Sequence, residues 1–297
     1  MKEFPQISIV IPVYNANSTI ALCLESIQKL SYPKNKLEVI VIDNGSSDGS
    51  DLIARKFDVR FFYEKSMKSS YQARNTGVKN AKGELIAFTD SDCIVSTDWL
   101  LNLIKDWDDN SIGCFAGEII SYKPRSLVEQ FSDRYGILRQ DGMLCHSYKP
   151  YSATANSAYR KEVFDRIGYF NPRLISGGDA DLSWRMQKET ELKIKFIPDA
   201  IVYHKHRTNI IDLYKQYKKY EYGQLLLNRL YRDMPVTSVK ERRSELLRSI
   251  YVLIRWLPGN LVRYTQNEID TVTLFSPFFT VISNLGTYMG RLSKLEN

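Results

Sequence analysis

Asp90 and Asp92 stand two positions apart where the apolar run Leu85-Ile86-Ala87-Phe88 gives way to polar residues. Two carboxylates on one side of an extended segment suit a hard divalent cation such as Mg2+ or Mn2+, which in turn can hold a diphosphate. Asp-Ser-Asp is also an ordinary turn and capping sequence, with Ser96 or Thr97 capping the next helix. Later in the chain, Gly177-Gly178-Asp179-Ala180-Asp181 offers two more carboxylates. His204 and His206 bring two imidazoles, with Arg207 beside them.

These groups need a scaffold, and the apolar patterning supplies one. Leu85 to Phe88 reads as a buried parallel strand, because a strand covered on both faces is continuously apolar. Upstream, the pattern predicts strands over 7–13, 37–42 and 59–63, the second ending in Asp43. Helices over about 18–30, 51–57 and 69–80 separate them. A β-α-β-α-β-α-β series implies a parallel sheet with helices on both faces, and ligands bind at the C-terminal edge of such sheets. Further on we expect a helix over 97–107, a strand over 112–120, a partly helical, mobile acceptor-side stretch over 125–145, and short strands over 193–197 and 200–207.

Several function classes drop out. A dinucleotide oxidoreductase needs a Gly-rich turn after its first strand, and Tyr14-Asn15-Ala16-Asn17-Ser18 has no glycine. A nucleotidyltransferase on a related sheet would carry a Gly-rich triphosphate loop at the same place. The four cysteines have no paired spacing, so they read as free thiols in a reducing compartment and not as a zinc site. Residues 1–6 run straight into a strand without a charged-then-apolar leader, and a cytoplasmic location is expected.

The charge is uneven. Net charge is +7, yet the segment from Lys205 to Arg263 has thirteen Lys/Arg against five Asp/Glu, which leaves the other residues together at −1. Such a segment attracts anionic partners. Helices are expected over 209–230 and 241–256, and the apolar stretch 272–285 is too short and too interrupted by Pro277 for a spanning helix. Basic amphipathic helices suit the surface of an anionic membrane, so a peripheral position on its cytoplasmic face is one expectation. Packing on the catalytic domain or formation of a homodimer is the other. No groove-reading or base-stacking motif accompanies the charge, so nucleic acid is not an expected partner.

Four motifs in order, Ile11-Pro12-Val13-Tyr14-Asn15, Val41-Ile42-Asp43-Asn44-Gly45-Ser46-Ser47-Asp48, Ala73-Arg74-Asn75-Thr76-Gly77 running to Ala81-Lys82-Gly83-Glu84, and Asp90-Ser91-Asp92, resemble the family-2 glycosyltransferases of the glycosyltransferase-A fold. The resemblance implies an α/β fold with a mostly parallel, Rossmann-like sheet, flanking helices and a C-terminal helical extension. The catalytic domain would cover 1–207, with a nucleotide-sugar half over 1–95 and an acceptor half over 96–207. A basic amphipathic helical region would follow over 208–297. By the same resemblance Pro12, Tyr14 and Asp43 line the base pocket, Arg74 lies close to it, and Asp90, Ser91 and Asp92 face the metal and sugar diphosphate. A late histidine completes the metal site, His204 or alternatively His206, and Arg207 could meet a phosphate.

A second block, Ala155 to Lys161, Phe164, Gly168-Tyr169-Phe170 and Gly177 to Arg185, looks like the acceptor half of that family, where an acidic residue opening a helix is the general base. Asp179 aligns with that base. Asp181 has Arg185 four positions later, which is salt-bridge spacing, and reads as structural. Gly178 departs from the family, many of whose members carry Glu there. The implied activity is inverting, hexosyltransferase-class transfer from a nucleotide-sugar, assisted by Mn2+ or Mg2+, to a hydroxyl of a glycan or lipid-linked acceptor, as in polysaccharide and cell-envelope biosynthesis. UDP is the favoured nucleotide and GDP the alternative. A catalytically inactive carbohydrate- or membrane-binding protein of the same fold is the competing reading, and Gly178 lends it weight.

Overall fold

The computed structural model describes residues 4–293, which form two compact units. The first takes the chain up to Tyr122, then Leu138–Leu174 and Gly178–His204. The second takes Lys123–Ile137, Ile175–Gly177 and the chain from Lys205 onward. The division therefore falls after His204, not after residue 207, and Lys123–Ile137 leaves the acceptor half. The reason is apolar burial: Val128 and Phe131 pack with Leu213, Val272 and Phe279 in the second unit.

The first unit is one eight-stranded sheet with helices around it. In chain order it contains β1 (Ile7–Val13), α1 (Ile20–Gln28), β2 (Leu37–Asp43), α2 (Ser50–Ala54), β3 (Arg60–Tyr63), α3 (Ser70–Asn80), β4 (Leu85–Thr89), β5 (Cys93–Val95), α4 (Trp99–Leu103) and β6 (Ile112–Ser121). After α5 (Leu127–Arg134), which belongs to the second unit, come α6 (Gln140–Leu144), β7 (Asn156–Arg160), α7 (Lys161–Ile167), α8 (Gly178–Glu189) and β8 (Lys193–His204).

The strand order is β3-β2-β1-β4-β7-β6-β8-β5. β1 to β4 are mutually parallel, as their apolar runs predict, and Ile7, Ile9, Ile11 and Leu85 to Phe88 are fully buried. Beyond β4 the sheet is mixed, because β7 runs antiparallel to both β4 and β6 and β5 runs antiparallel to β8. The chain steps outward from β1 through β2 to β3 and then crosses to β4 on the other side of β1. That reversal opens a crevice at the C-terminal ends of β1 and β4.

Three expectations about elements change. The helix over 97–107 shortens to Trp99–Leu103. The two short strands near 193–207 are one strand, β8, with an irregularity in its pairing with β6, and it stops at His204. A face shared by His204 and His206 on one strand is therefore not formed.

In the second unit α11 (Thr271–Leu292) packs against α5, α9 (Ile210–Leu230) and α10 (Val239–Thr265). Helices α9 and α11 run backbone to backbone. A Cβ on Gly286 would lie 2.5 Å from the Tyr214 carbonyl oxygen, and one on Gly290 would lie 2.6 Å from that of Lys218, so only glycine fits this close approach. Glu221 is buried between Arg242, 2.9 Å from its Oε2, and Arg291. Pro258 and Pro277 lie inside α10 and α11, so the helices run past positions that the sequence treats as breaks. Among the described residues no helix is long and apolar enough to cross a membrane.

Candidate active site

The crevice is framed by loops that are cross-linked through side chains. After β1, the backbone N–H of Asn15 donates to Ser46 Oγ (3.0 Å), that of Ala16 to Ser50 Oγ (2.7 Å) and that of Asn17 to Asp48 Oδ2 (2.9 Å). The polar run after β2 thus serves to hold the loop that follows β1. Pro12 is half-buried at the end of β1. Tyr14 is 48 % exposed, with the Lys68 ammonium 4.2 Å from its ring centroid.

Asp43 closes β2 and is buried. Its Oδ2 accepts hydrogen bonds from the backbone of Gly45 (3.0 Å) and Ser46 (3.1 Å), while its buried Oδ1 has no hydrogen-bond partner in the protein. An acceptor withheld from water and left unmatched is a candidate ligand contact, since such groups are rarely left unsatisfied. Behind it Glu64 accepts from Ser66 N (2.7 Å), Gln72 Nε2 (3.3 Å) and the Thr76 hydroxyl. Burial works against its ionisation, but these donors prevail and bring its pKa down to about 2.

Asp90, Ser91 and Asp92 form a tight turn between β4 and β5, closed by a 3.0 Å bond from Cys93 N to Asp90 O. The segment is not extended, and the two carboxylates take different neighbours. Asp90 pairs with Arg74 from α3, whose side chain is almost fully buried. Asp92 Oδ2 lies 3.6 Å from His204 Nε2 at the end of β8, a meeting made by the pairing of Cys93 with His204 across β5 and β8. Ser91 sits half-buried between them. Burial pushes the Asp90 carboxyl above its ordinary pKa despite Arg74, and the charges of Asp92 and Asp179 add to that push. Burial, followed by the same two carboxylates of the turn, also raises the Cys23 and Cys93 thiols. Both are buried neighbours of the turn.

The donor chemistry fits a hard or borderline divalent ion. A carboxylate and an imidazole suit Mn2+, and magnesium-like sites commonly use one or two carboxylates together with substrate phosphates. Among the described residues no cluster of three His, Cys, Asp or Glu side chains forms a closed cage, so such an ion would draw further ligands from a diphosphate and water.

Asp179 lies in the first turn of α8. Thr154 holds its Oδ2 through its backbone N–H (3.1 Å) and hydroxyl (3.3 Å), and its buried Oδ1 has no hydrogen-bond partner. Asp181, as its spacing predicts, is bound by Arg185 (3.0 Å), which also donates to the Ile167 and Tyr169 carbonyls. His206 and Arg207 belong to the second unit, where the charge of His206 acts on Glu129.

Two contributors escaped the sequence reading. Thr154, which orients Asp179, lies in a stretch with no pattern. Tyr71 stacks on Phe170 (centroids 5.7 Å apart), and its hydroxyl is kept protonated first by burial and then by the charge of Asp179. Its position three residues before Arg74 puts both on one side of α3, with the guanidinium 5.6 Å from the ring centroid; that spacing is the signal that could have found it. Asn75 exchanges two hydrogen bonds with the Phe170 backbone (2.9 and 3.0 Å) and so fastens α3 to the acceptor side.

A mixed sheet with carboxylates gathered at its switch-point crevice defines a protein of the glycosyltransferase-A fold. The structure is similar to mannosyltransferase PcManGT from Pyrobaculum calidifontis in complex with GDP-Man and Mn2+, with a TM-score of 0.62 and 17% identity, covering 95% of this chain and 87% of that one. It is also similar to S. aureus TarS 1-349 in complex with UDP, with a TM-score of 0.52 and 16% identity, covering 96% and 90%. In sequence it is 31% identical over 220 residues to Glycosyltransferase AglE of Haloferax volcanii, 72% of this chain and 71% of AglE. Residues 8–172, more than half of the chain, match the profile described as Glycosyl transferase family 2. The chain belongs to glycosyl transferase family 2 and is a glycosyltransferase.

Proposed function

We propose that this glycosyltransferase moves a sugar from a nucleoside-diphosphate donor to a hydroxyl of a glycan or lipid-linked acceptor, with inversion and with the help of a divalent metal. The observation that carries the reading is the turn that holds Asp90 against Arg74 and Asp92 3.6 Å from His204, with Asp179 near enough for its charge to act on Asp90. Three carboxylates so gathered are stabilised by a dication.

On the donor side, the open Oδ1 of Asp43 is a ready acceptor for a base N–H or a ribose hydroxyl, and the half-exposed ring of Tyr14 can cover the base. Pro12 shapes the same wall. UDP is favoured by the family resemblance, and the GDP-Man bound by PcManGT makes GDP the alternative to test. Asp92 and His204, beside the Arg74-held Asp90 and Ser91, would hold Mn2+ or Mg2+, which supplies positive charge to the departing diphosphate.

On the acceptor side, Thr154 fixes Asp179 through Oδ2 and leaves Oδ1 to receive a proton. As the acceptor oxygen forms its bond to the anomeric carbon, Asp179 takes the hydroxyl proton. The bond from that carbon to the diphosphate oxygen breaks, and its electron pair leaves with the nucleoside diphosphate. One displacement inverts the centre. A cytoplasmic site of action, where the thiols stay reduced, accords with three buried free cysteines, Cys23, Cys93 and Cys114.

The test is turnover of UDP- and GDP-sugars with Mn2+ or Mg2+ by the parent and by Asp179→Asn. We expect the substitution to lower kcat by about 10²–10⁴ with nucleotide affinity little changed. Undiminished turnover in that variant would remove Asp179 from the mechanism.

A further inference from the structure

We propose that α10 is a membrane-docking helix whose outward face lies in the headgroup layer of an anionic bilayer. The inference concerns the second unit alone and gives a partner to the glycosyltransferase proposed above, resting on that reading only for its biological use. Of the apolar side chains of α10, only Leu246, Leu253 and Trp256 are even partly buried. Its side toward α11 and α9 carries Arg242, held by Glu221, together with Ser249 and Trp256. Its outward side carries Leu247, Ile250, Tyr251, Ile254, Leu257 and Leu261, all exposed, with Leu247 at 53 %, Ile254 at 65 % and Leu261 at 55 %.

These six recur at three- and four-residue spacing, so they form one stripe. From Leu247 to Leu261 it runs about 21 Å along the helix at 1.5 Å per residue. A contiguous apolar surface of that kind marks an interaction site. The charges decide the partner. Lys240, Arg243 and Arg255 are exposed on or beside the stripe, and Arg248, also exposed, borders the cavity toward α11. The two acidic residues of the helix are occupied elsewhere, Glu241 with the N-cap at Ser238 and Glu245 with Arg242.

An apolar stripe with basic flanks lies in the interface plane of an anionic membrane, apolar face down. A second copy of this chain docked on the same stripe would instead bring like charges together. Since no helix of the described residues is long and apolar enough to span, the contact is peripheral.

The test is sedimentation of the purified full chain with vesicles of phosphatidylcholine alone and with a quarter phosphatidylglycerol, at low and at about 0.5 M salt, as order-of-magnitude conditions for electrostatic screening. We expect partitioning onto the anionic vesicles to exceed that onto neutral ones, or that at high salt, by about tenfold or more. Ile254→Asp should cut it by about tenfold or more, and the pair Arg243→Glu with Arg255→Glu should abolish the preference for anionic lipid. All three positions are exposed, and circular dichroism verifies the fold; should Ile254→Asp misfold, the charge pair decides. Equal partitioning of the parent onto both vesicle types, or of both folded variants and the parent, overturns the proposal. So does self-association that Ile254→Asp abolishes in a parent that binds no vesicles. Vesicle binding is read without turnover, so its failure leaves the catalytic reading untouched, and loss of turnover in Asp179→Asn leaves the docking reading untouched.

Discussion

Tyr71 fills the space that a side chain on residue 178 would enter: a Cβ on Gly178 would lie 2.7 Å from Cε1 and Cζ of the tyrosine ring. The glycine that departs from the family pattern is thus matched by an aromatic ring on α3, itself stacked on Phe170. The ring takes up the space that another side chain at 178 would need beside Asp179.

The pair should behave as a unit. Gly178→Ala forces the ring or the start of α8 to move, at a cost of about 1–3 kcal/mol in stability, and lowers turnover with it. Tyr71→Ala makes room for the new methyl group. A double-mutant cycle on unfolding free energy should give a coupling of about 0.5–3 kcal/mol; additive effects would show that the contact does not matter.

Arg74 neutralises Asp90 from a buried position. Arg74→Ala leaves that carboxylate facing Asp92 and Asp179 without its counter-charge. We expect kcat/KM for the donor to fall at least about tenfold, equivalent to about 1.4 kcal/mol of transition-state stabilisation. Arg74→Lys, which lacks the planar fork, should recover only part of the loss. Steady-state kinetics over a range of Mn2+ concentrations decides, and parental kinetics in Arg74→Ala would contradict the assignment.

Glu64 gives the fold an acid limit. Its pKa of about 2 lies below the value of an unfolded glutamate, so its stabilising contribution is complete above that ordinary value and is lost as pH falls through about 2. Glu64→Gln should cost about 1–3 kcal/mol at neutral pH through weakened hydrogen bonds from Ser66, Thr76 and Gln72. Urea denaturation at several pH values should show a shallower loss of stability below pH about 4 in the variant than in the parent. Identical slopes would place the acid sensitivity elsewhere.

What the sequence disclosed depended on how local the determinants were. The strand at β4 is four consecutive apolar residues, Leu85 to Phe88, and needs no partner to be recognised. The Asp181 and Arg185 pair follows from helical spacing alone. β7 is Asn-Ser-Ala-Tyr-Arg, and its polar residues are buried because distant groups satisfy them: Asn156 donates to the Glu118 and Ala200 carbonyls and accepts from Trp99, while Arg160 donates to the Ile112 and Asp109 carbonyls. No periodicity reveals that. Pro258 does not stop α10, because the hydrogen bond it omits belongs to Ile254 on the exposed face. At the site, Asp90 and Asp92 were legible as a pair, but their separate neighbours, Arg74 and His204, come from a turn that the extended reading missed.

Glu221 carries two arginines in the second unit. Removing it leaves the buried Arg291 without its carboxylate and Arg242 with Glu245 alone, so Glu221→Ala should destabilise that unit by about 3–5 kcal/mol. Proteolysis of native protein should then cut within α9 to α11 before it reaches the sheet. A variant as resistant as the parent would show the cluster to be dispensable.

Metal dependence is tested most directly by calorimetric titration of UDP and GDP into the parent and Asp92→Asn, each with and without Mn2+. One nucleotide should bind the parent only with Mn2+ present, and its binding should weaken at least about tenfold, or about 1.4 kcal/mol, in the variant. Tight binding that is indifferent to the metal, or unchanged in Asp92→Asn, would contradict a metal held by Asp92.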